Sequence, residues 1–242
     1  MGSDDLFKKK SKKNKKKLKK VKRELKDSIL IVCEGEKTEP NYFKSFPKSG
    51  IEIKIIGEGK NAKSLVESAI FHWKKLSKND KYFENLYVVM DKDDFPLKNY
   101  NSSFQLIENF AKKVNSQRKY KNRLTSKFEA TIIYANEAFE LWYLLHYDYI
   151  NTAVSRKQYQ DFLSKKMKTK YLKNHENIYN ILKEIKDSNK GLEFAINNAK
   201  KLRKKNKPDI NPSTNVDILV IELINRYNNS KGIKDIGKIK YP

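Results

Sequence analysis

The chain has 242 residues, of which 38% are hydrophobic, enough apolar surface for a substantial core, and 53 Lys and Arg against 29 Asp and Glu give it a formal net charge of +24. No apolar run approaches the roughly 18 to 20 residues of a spanning helix, and no apolar signal core stands near the start, so a membrane protein is excluded and a cytoplasmic, soluble protein expected. Such basicity neutralises phosphates and releases their counterions, which makes nucleic acid the leading partner class.

Residues 1–26 carry thirteen Lys and Arg against three acidic residues, a net +10, leaving +14 for the rest. A block so dense in lysine and so poor in apolar residues cannot bury enough surface to fold alone and reads as a disordered tail. From Ser28 strand-like and helix-like segments alternate. Ser28 to Cys33 is a continuous apolar run rich in β-branched residues, as in a strand covered on both faces, and Cys33, the single cysteine, is expected to be buried there. Pro40 suits the first turn of a helix through Phe46, and Ile51 to Ile56 reads as a second strand. A helix from Asn61 to about Leu76, a strand over Leu86 to Met90, a helix over Ser102 to Val114, a strand over Ala130 to Tyr134 and a helix from Glu137 to His146 follow.

This order predicts an α/β fold over residues 27–150 with a mostly parallel, four-stranded sheet flanked by helices. Beyond about residue 152 there is no convincing strand pattern. Arg156 to Met167, Glu176 to Lys186, Leu192 to Lys204 and Val216 to Tyr227 read as helices, so residues 151–242 form a helical C-terminal extension.

Two apolar runs stop on acidic residues: Ile29 to Cys33 runs into Glu34, Gly35, Glu36, Lys37, Thr38 and Glu39, and Leu86 to Met90 runs into Asp91, Lys92, Asp93 and Asp94. Parallel crossovers put the loops after such strands on one sheet edge, where open α/β sheets bind ligands. Gathered there, the carboxylates repel one another unless a cation neutralises them, and oxygen ligands of this kind suit Mg²⁺ or Mn²⁺. A divalent cation so held polarises a phosphoryl oxygen or activates a water. Asp91 and Asp93, two apart, share a strand face. Glu36 and Glu39 are secondary candidates, Glu39 because a carboxylate before Pro40 also suits a helix N-terminus through the helix dipole. Lys37 and Thr38, with Gly35, are candidates for holding substrate phosphate. Glu140, among Phe139, Leu141 and Trp142, is either at the surface or serving the site, since burying it unpaired is costly. His146 reads as a partly exposed residue at a helix end, and the spacing of the three histidines does not support zinc. There is no Gly-x-x-x-x-Gly-Lys-Ser/Thr phosphate loop, so ATP hydrolysis would come from a partner.

A strand followed by Glu34-Gly35, then an interval and a strand followed by Asp91-x-Asp93, resembles the Toprim domain of topoisomerases, bacterial primases and overcoming-lysogenization-defect nucleases. More closely, Ile31-Val-Cys-Glu34-Gly-Glu-Lys-Thr38-Glu39-Pro-Asn-Tyr42-Phe43, with Val89-Met-Asp91-x-Asp93 and Asn136-Glu-Ala-Phe139-Glu140-Leu-Trp142-Tyr-Leu-Leu-His146, resembles the RloB-like family from about Ser28 to Ile224. The resemblance implies a Toprim-like (Rossmann-like) fold and a nuclease of anti-phage abortive infection encoded beside an ATPase of the ABC or overcoming-lysogenization-defect type. It also implies that Glu34 is the Toprim glutamate, acting as general acid/base or metal ligand, and that Asp91 and Asp93 are metal ligands. Asp94 departs from the Toprim pattern and is an extra ligand candidate, as is Glu140. The partners expected are nucleic acid, RNA or DNA, that ATPase, and for self-association a second copy of the chain; no membrane is expected. The rival reading is a non-catalytic nucleic-acid-binding or adaptor subunit.

Overall fold

The computed structural model describes residues 28–60, 62–92, 97–174, 177–185, 187, 190–233 and 242. The expected tail over residues 1–26 lies outside them. In chain order the elements are β1 (Ser28–Cys33), α1 (Thr38–Lys44), β2 (Glu52–Gly57), α2 (Ala62–Lys78), β3 (Asn85–Asp91), α3 (Leu97–Ser116), α4 (Arg118–Lys121) and β4 (Glu129–Asn136), then α5 (Glu140–Leu144), α6 (Arg156–Met167), α7 (Ile178–Lys183), α8 (Leu192–Lys205), β5 (Ser213–Thr214) and α9 (Val216–Ser230). The sheet order is β2-β1-β3-β4-β5.

Strands β1 to β4 are mutually parallel, as the alternation of strands and helices predicts, and β1 and β3 are central and buried at every position. Their side chains alternate between two apolar layers. Leu30, Val32, Leu86, Val88 and Met90 face Leu65, Ala69 and Trp73 of α2 and Ile107 and Phe110 of α3. Ile29, Ile31, Cys33, Tyr87 and Val89 face the other way, into a layer that contains Tyr42 and Phe43 of α1, Trp142 of α5 and the apolar faces of α6, α8 and α9. The C-terminal helices therefore share one core with the sheet. Trp142 sits at its centre, fully buried, and its indole N–H donates to the Tyr42 hydroxyl at 2.8 Å.

The sheet has five strands, not four. β5 is antiparallel to β4, with Ala135 opposite Thr214 and Asn136 opposite Ser213. Two polar residues carry no hydrophobic period, so nothing in the pattern beyond residue 152 announces a strand. Side chains hold this edge instead: the Asn215 amide oxygen accepts from the Tyr134 backbone N–H (2.6 Å), its NH₂ donates to the Ile132 carbonyl (2.9 Å), and the Thr214 hydroxyl donates to the Tyr134 carbonyl (2.8 Å).

His146 is a second correction: it is fully buried. Helix α5 stops at Leu144, and the chain returning from Gly191 covers the following turn, with the Gly191 N–H on the His146 carbonyl (2.8 Å) and the Asn198 side chain on the Leu145 carbonyl (3.1 Å). Burial disfavours the imidazolium and pushes its pKa down to about 4, while a ring N–H donated to the Trp142 carbonyl (2.9 Å) works in the opposite direction. A folded-state pKa below the ordinary 6.5 means that the unfolded chain binds the extra proton first, so stability is lost as pH falls from about 6.5 towards 4. The loss approaches roughly 3 kcal/mol. Urea denaturation between pH 7.5 and 4.5 checks this: the difference between wild type and His146→Gln should shrink as pH falls, and a difference independent of pH would refute it.

Candidate active site

The carboxyl ends of the two central strands deliver the acidic residues. Glu34 continues β1, its N–H bonded to the Val89 carbonyl (2.8 Å), and Asp91 ends β3, its N–H donating to a Glu34 carboxylate oxygen at 3.2 Å. Adjacent parallel strands with their carboxyl ends on one edge place these two side by side although 57 residues separate them in sequence. They line a cleft of about 260 Å³ with Gly35, Glu36, Lys37, Thr38, Glu39, Phe139, Glu140, Arg156, Lys173 and Asn174.

Glu39, in the first turn of α1, is turned inward and buried at 3% exposure. Its carboxylate occupies the space a side chain at residue 35 would need: a Cβ there would lie 2.2 Å from Glu39 Oε2, so glycine at 35 is what lets Glu39 enter. Glu140, the first residue of α5, is also buried, and its Oε1 accepts from the Gln160 amide (3.2 Å) and the Tyr171 hydroxyl (3.4 Å). A countercharge comes from Arg156 at the start of α6, whose guanidinium donates to Asp91 Oδ2 at 2.9 Å. The N-cap of that helix is a capping box of Ser155 and Gln158, and the Arg156 backbone N–H is held by Glu137 (3.2 Å).

The electrostatics are those of an overcrowded anion pocket. Burial, then the neighbouring Glu39, push the Asp91 carboxyl well above the usual range; Arg156 opposes the shift, and Glu34 and Glu140 add to it. Burial also raises Glu39, opposed by a hydrogen bond from its own backbone, and Glu140 raises it further. Two of the buried oxygens, Glu39 Oε2 and Asp91 Oδ1, have no hydrogen-bond partner among the described residues. Hard oxygen donors that are buried, unsatisfied and mutually repelling fit a divalent cation. Against that, no group of three or more His, Cys, Asp or Glu side chains among the described residues is already arranged to hold a metal ion. Arg156 supplies part of the compensation in its place.

Removing one charge from the crowd should therefore stabilise the metal-free protein. Glu39→Gln keeps the shape and relieves Asp91, and its unfolding free energy at neutral pH, measured in chelator, should rise by about 1 kcal/mol. An equal or lower stability would refute the repulsion.

Of the other expected site residues, Glu36 and Lys37 are exposed at the mouth of the cleft. The Thr38 hydroxyl donates to the Lys173 carbonyl at 3.0 Å and ties the two sides of the cleft together. Asp93 and Asp94 lie outside the described residues. Sequence reasoning missed Arg156, Gln160, Tyr171 and Lys173. Arg156 is one of 53 basic residues, and only its place on the first turn after the Ser155 cap sets it apart. His72, read as having no zinc partners, bonds Glu58 (2.5 Å), which also accepts from Lys60 and Ser68 (2.7 Å each). Although partial burial opposes it, these bonds from Lys60, Ser68 and His72 lower the Glu58 pKa to about 2.

An open, mostly parallel sheet with carboxylates gathered at the ends of two adjacent inner strands makes this an α/β protein compatible with a Toprim-like fold. The chain belongs to the RloB-like family, whose model, described as RloB-like protein, matches residues 29–223. No curated protein and no solved structure gives a significant match to the chain. No helix among the described residues is long and apolar enough to cross a membrane.

Proposed function

We propose that this protein is a Mg²⁺- or Mn²⁺-dependent nuclease that hydrolyses phosphodiester bonds of RNA or DNA, as the effector of an anti-phage abortive-infection system with an ATPase partner of the ABC or overcoming-lysogenization-defect type. The observation that carries the reading is the meeting of Glu34 and Asp91 at the sheet edge, inside a cleft whose buried Asp91 and Glu39 oxygens are unsatisfied. Asp91 and Glu34 would hold the cation, with Asp93, Asp94 and Glu140 as further candidate ligands. When bound, the cation supplies charge stabilisation at a phosphoryl oxygen and activation of water. The chain's own groups do the rest. Glu39, buried beside Asp91 with its Oε2 unsatisfied, adds a further oxygen donor to the pocket. Lys37 and Lys173 stand at the mouth, where they draw the phosphate in.

The rival reading, a non-catalytic adaptor that binds nucleic acid, is favoured by one observation: Arg156 is paired with Asp91, as in a purely structural ion pair. Calorimetric titration with Mn²⁺, followed by cleavage assays on labelled RNA and DNA with and without the neighbouring ATPase, separates the two. Divalent binding with metal-dependent cleavage supports the nuclease. No divalent binding and no cleavage under any of these conditions supports the adaptor.

A further inference from the structure

The segment that follows α6 brings Lys173 to the lip of the acidic cleft, and Lys165, Lys168 and Lys170 precede it along the chain from the C-terminal end of α6. Lys165, Lys168, Lys170 and Lys173 are all exposed; the first three form no ion pair among the described residues, the charge of Lys173 acts on Glu39, and Lys166, between them, is paired with Asp148 at 2.5 Å. A row of surface lysines is ordinarily only a solvated face. Here the backbone that carries it is pinned to the cleft. Tyr171 points inward and is buried; its hydroxyl donates to Glu140 Oε1, its ring packs edge-on against Tyr143 at 6.4 Å, and its backbone N–H donates to the Ser164 hydroxyl at 2.9 Å. Two residues on, the Lys173 carbonyl is held by Thr38. The backbone that carries the lysines is thus fixed relative to the carboxylates. Leu172 stands out beside Lys173 at 56% exposure, an apolar side chain that nothing in the fold requires to be at the surface.

We infer that the segment Lys165–Lys173 is the grip for the substrate strand, and that the strand is single-stranded nucleic acid. The lysines take successive phosphates and Leu172 meets the face of an unstacked base, the pairing of cations with an apolar platform by which single strands are held without regard to sequence. Single-strandedness follows from depth. Asp91, Glu39 and Glu140 are 7%, 3% and 1% exposed at the floor of a cleft of only about 260 Å³. A stiff duplex cannot bend a phosphate down to them, whereas a single strand can. The inference rests on the nuclease reading for what happens in the cleft, and it names what reaches it.

The test is fluorescence anisotropy of the full chain in chelator, where nothing is cut, with a labelled 20-nucleotide single-stranded RNA, the same sequence as DNA, and a hairpin duplex. The variants are Lys165→Glu/Lys168→Glu/Lys170→Glu and, as a control of equal charge, Lys200→Glu/Lys204→Glu/Lys205→Glu on the exposed face of α8. The first should weaken single-strand binding at least about tenfold and reduce the salt slope by about 2, against about threefold or less for the control. Leu172→Ser should weaken single strands several-fold and leave the duplex unchanged. The RNA and DNA arms show which sugar is preferred. Equal losses in the two triple variants, or a duplex bound as tightly as a single strand, would overturn the grip even if metal-dependent cleavage is intact. Grip-dependent binding by a protein that never cleaves would uphold the grip and end the nuclease reading, and a wild type that binds none of the three probes would end both.

Discussion

Asp91→Asn should abolish divalent-dependent cleavage, by at least about 10²-fold, while the protein stays folded. Asp91 ends β3, its backbone N–H bonded to Glu34 and its carboxylate to Arg156, so no neighbour can take its place at the junction of the two strands. Asparagine keeps the shape and can still meet Arg156 through its amide oxygen, but it lacks the charge that a hard cation needs. Mn²⁺ binding by calorimetry should weaken in parallel with activity, and thermal melting in chelator should change by only a few degrees. The last readout separates loss of chemistry from loss of fold. Full activity in Asp91→Asn would remove the assigned site, and unchanged Mn²⁺ affinity with lost activity would move the metal elsewhere.

The second large effect concerns the C-terminal half. Asp217, at the start of α9, is buried; its carboxylate takes both guanidinium nitrogens of Arg203 on α8, one of them at 2.8 Å, and Arg203 also donates to the Thr214 carbonyl at 2.9 Å. This one ion pair joins α8, β5 and α9. Asp217→Ala should lower the unfolding free energy by about 3 to 5 kcal/mol, because it strands a guanidinium that is 77% covered beside an apolar core. Asp217→Asn, which keeps one acceptor, should cost clearly less. Urea denaturation at pH 7 checks both, and a loss below about 1 kcal/mol for Asp217→Ala would show that the pair is a passive surface bridge. Loss of the edge strand should follow, visible as faster amide exchange at Tyr134, whose N–H is held by Asn215.

Much of the fold is legible in the sequence because buried parallel strands have a direct signature. β1 and β3 are continuous apolar runs, they lie at the centre of the sheet, and a strand that stops on a carboxylate puts that carboxylate at an edge. Glu34 and Asp91 follow from that pattern and the parallel order of the strands. Glu39 is less visible: beside Pro40 it reads as a helix-end charge, and only the open space above Gly35 turns it into the cleft. The two-residue β5 has no period to read, and His146 is buried by residues some 45 to 52 positions further along the chain.

The sequence by itself determined the α/β class, the parallel order of the four long strands, the burial of Cys33 and the delivery of acidic residues to one edge. These depend on local periodicity and on the geometry of crossovers, which any stretch of chain carries within itself. Only the tertiary structure decided that Arg156 sits on Asp91, that Glu140 is buried and bonded to Tyr171, and that a lysine-bearing segment is pinned to the lip of the cleft. Those contacts join residues up to 135 positions apart. Which of 53 similar cations meets which carboxylate is a matter of packing, and packing leaves no periodic trace in the chain.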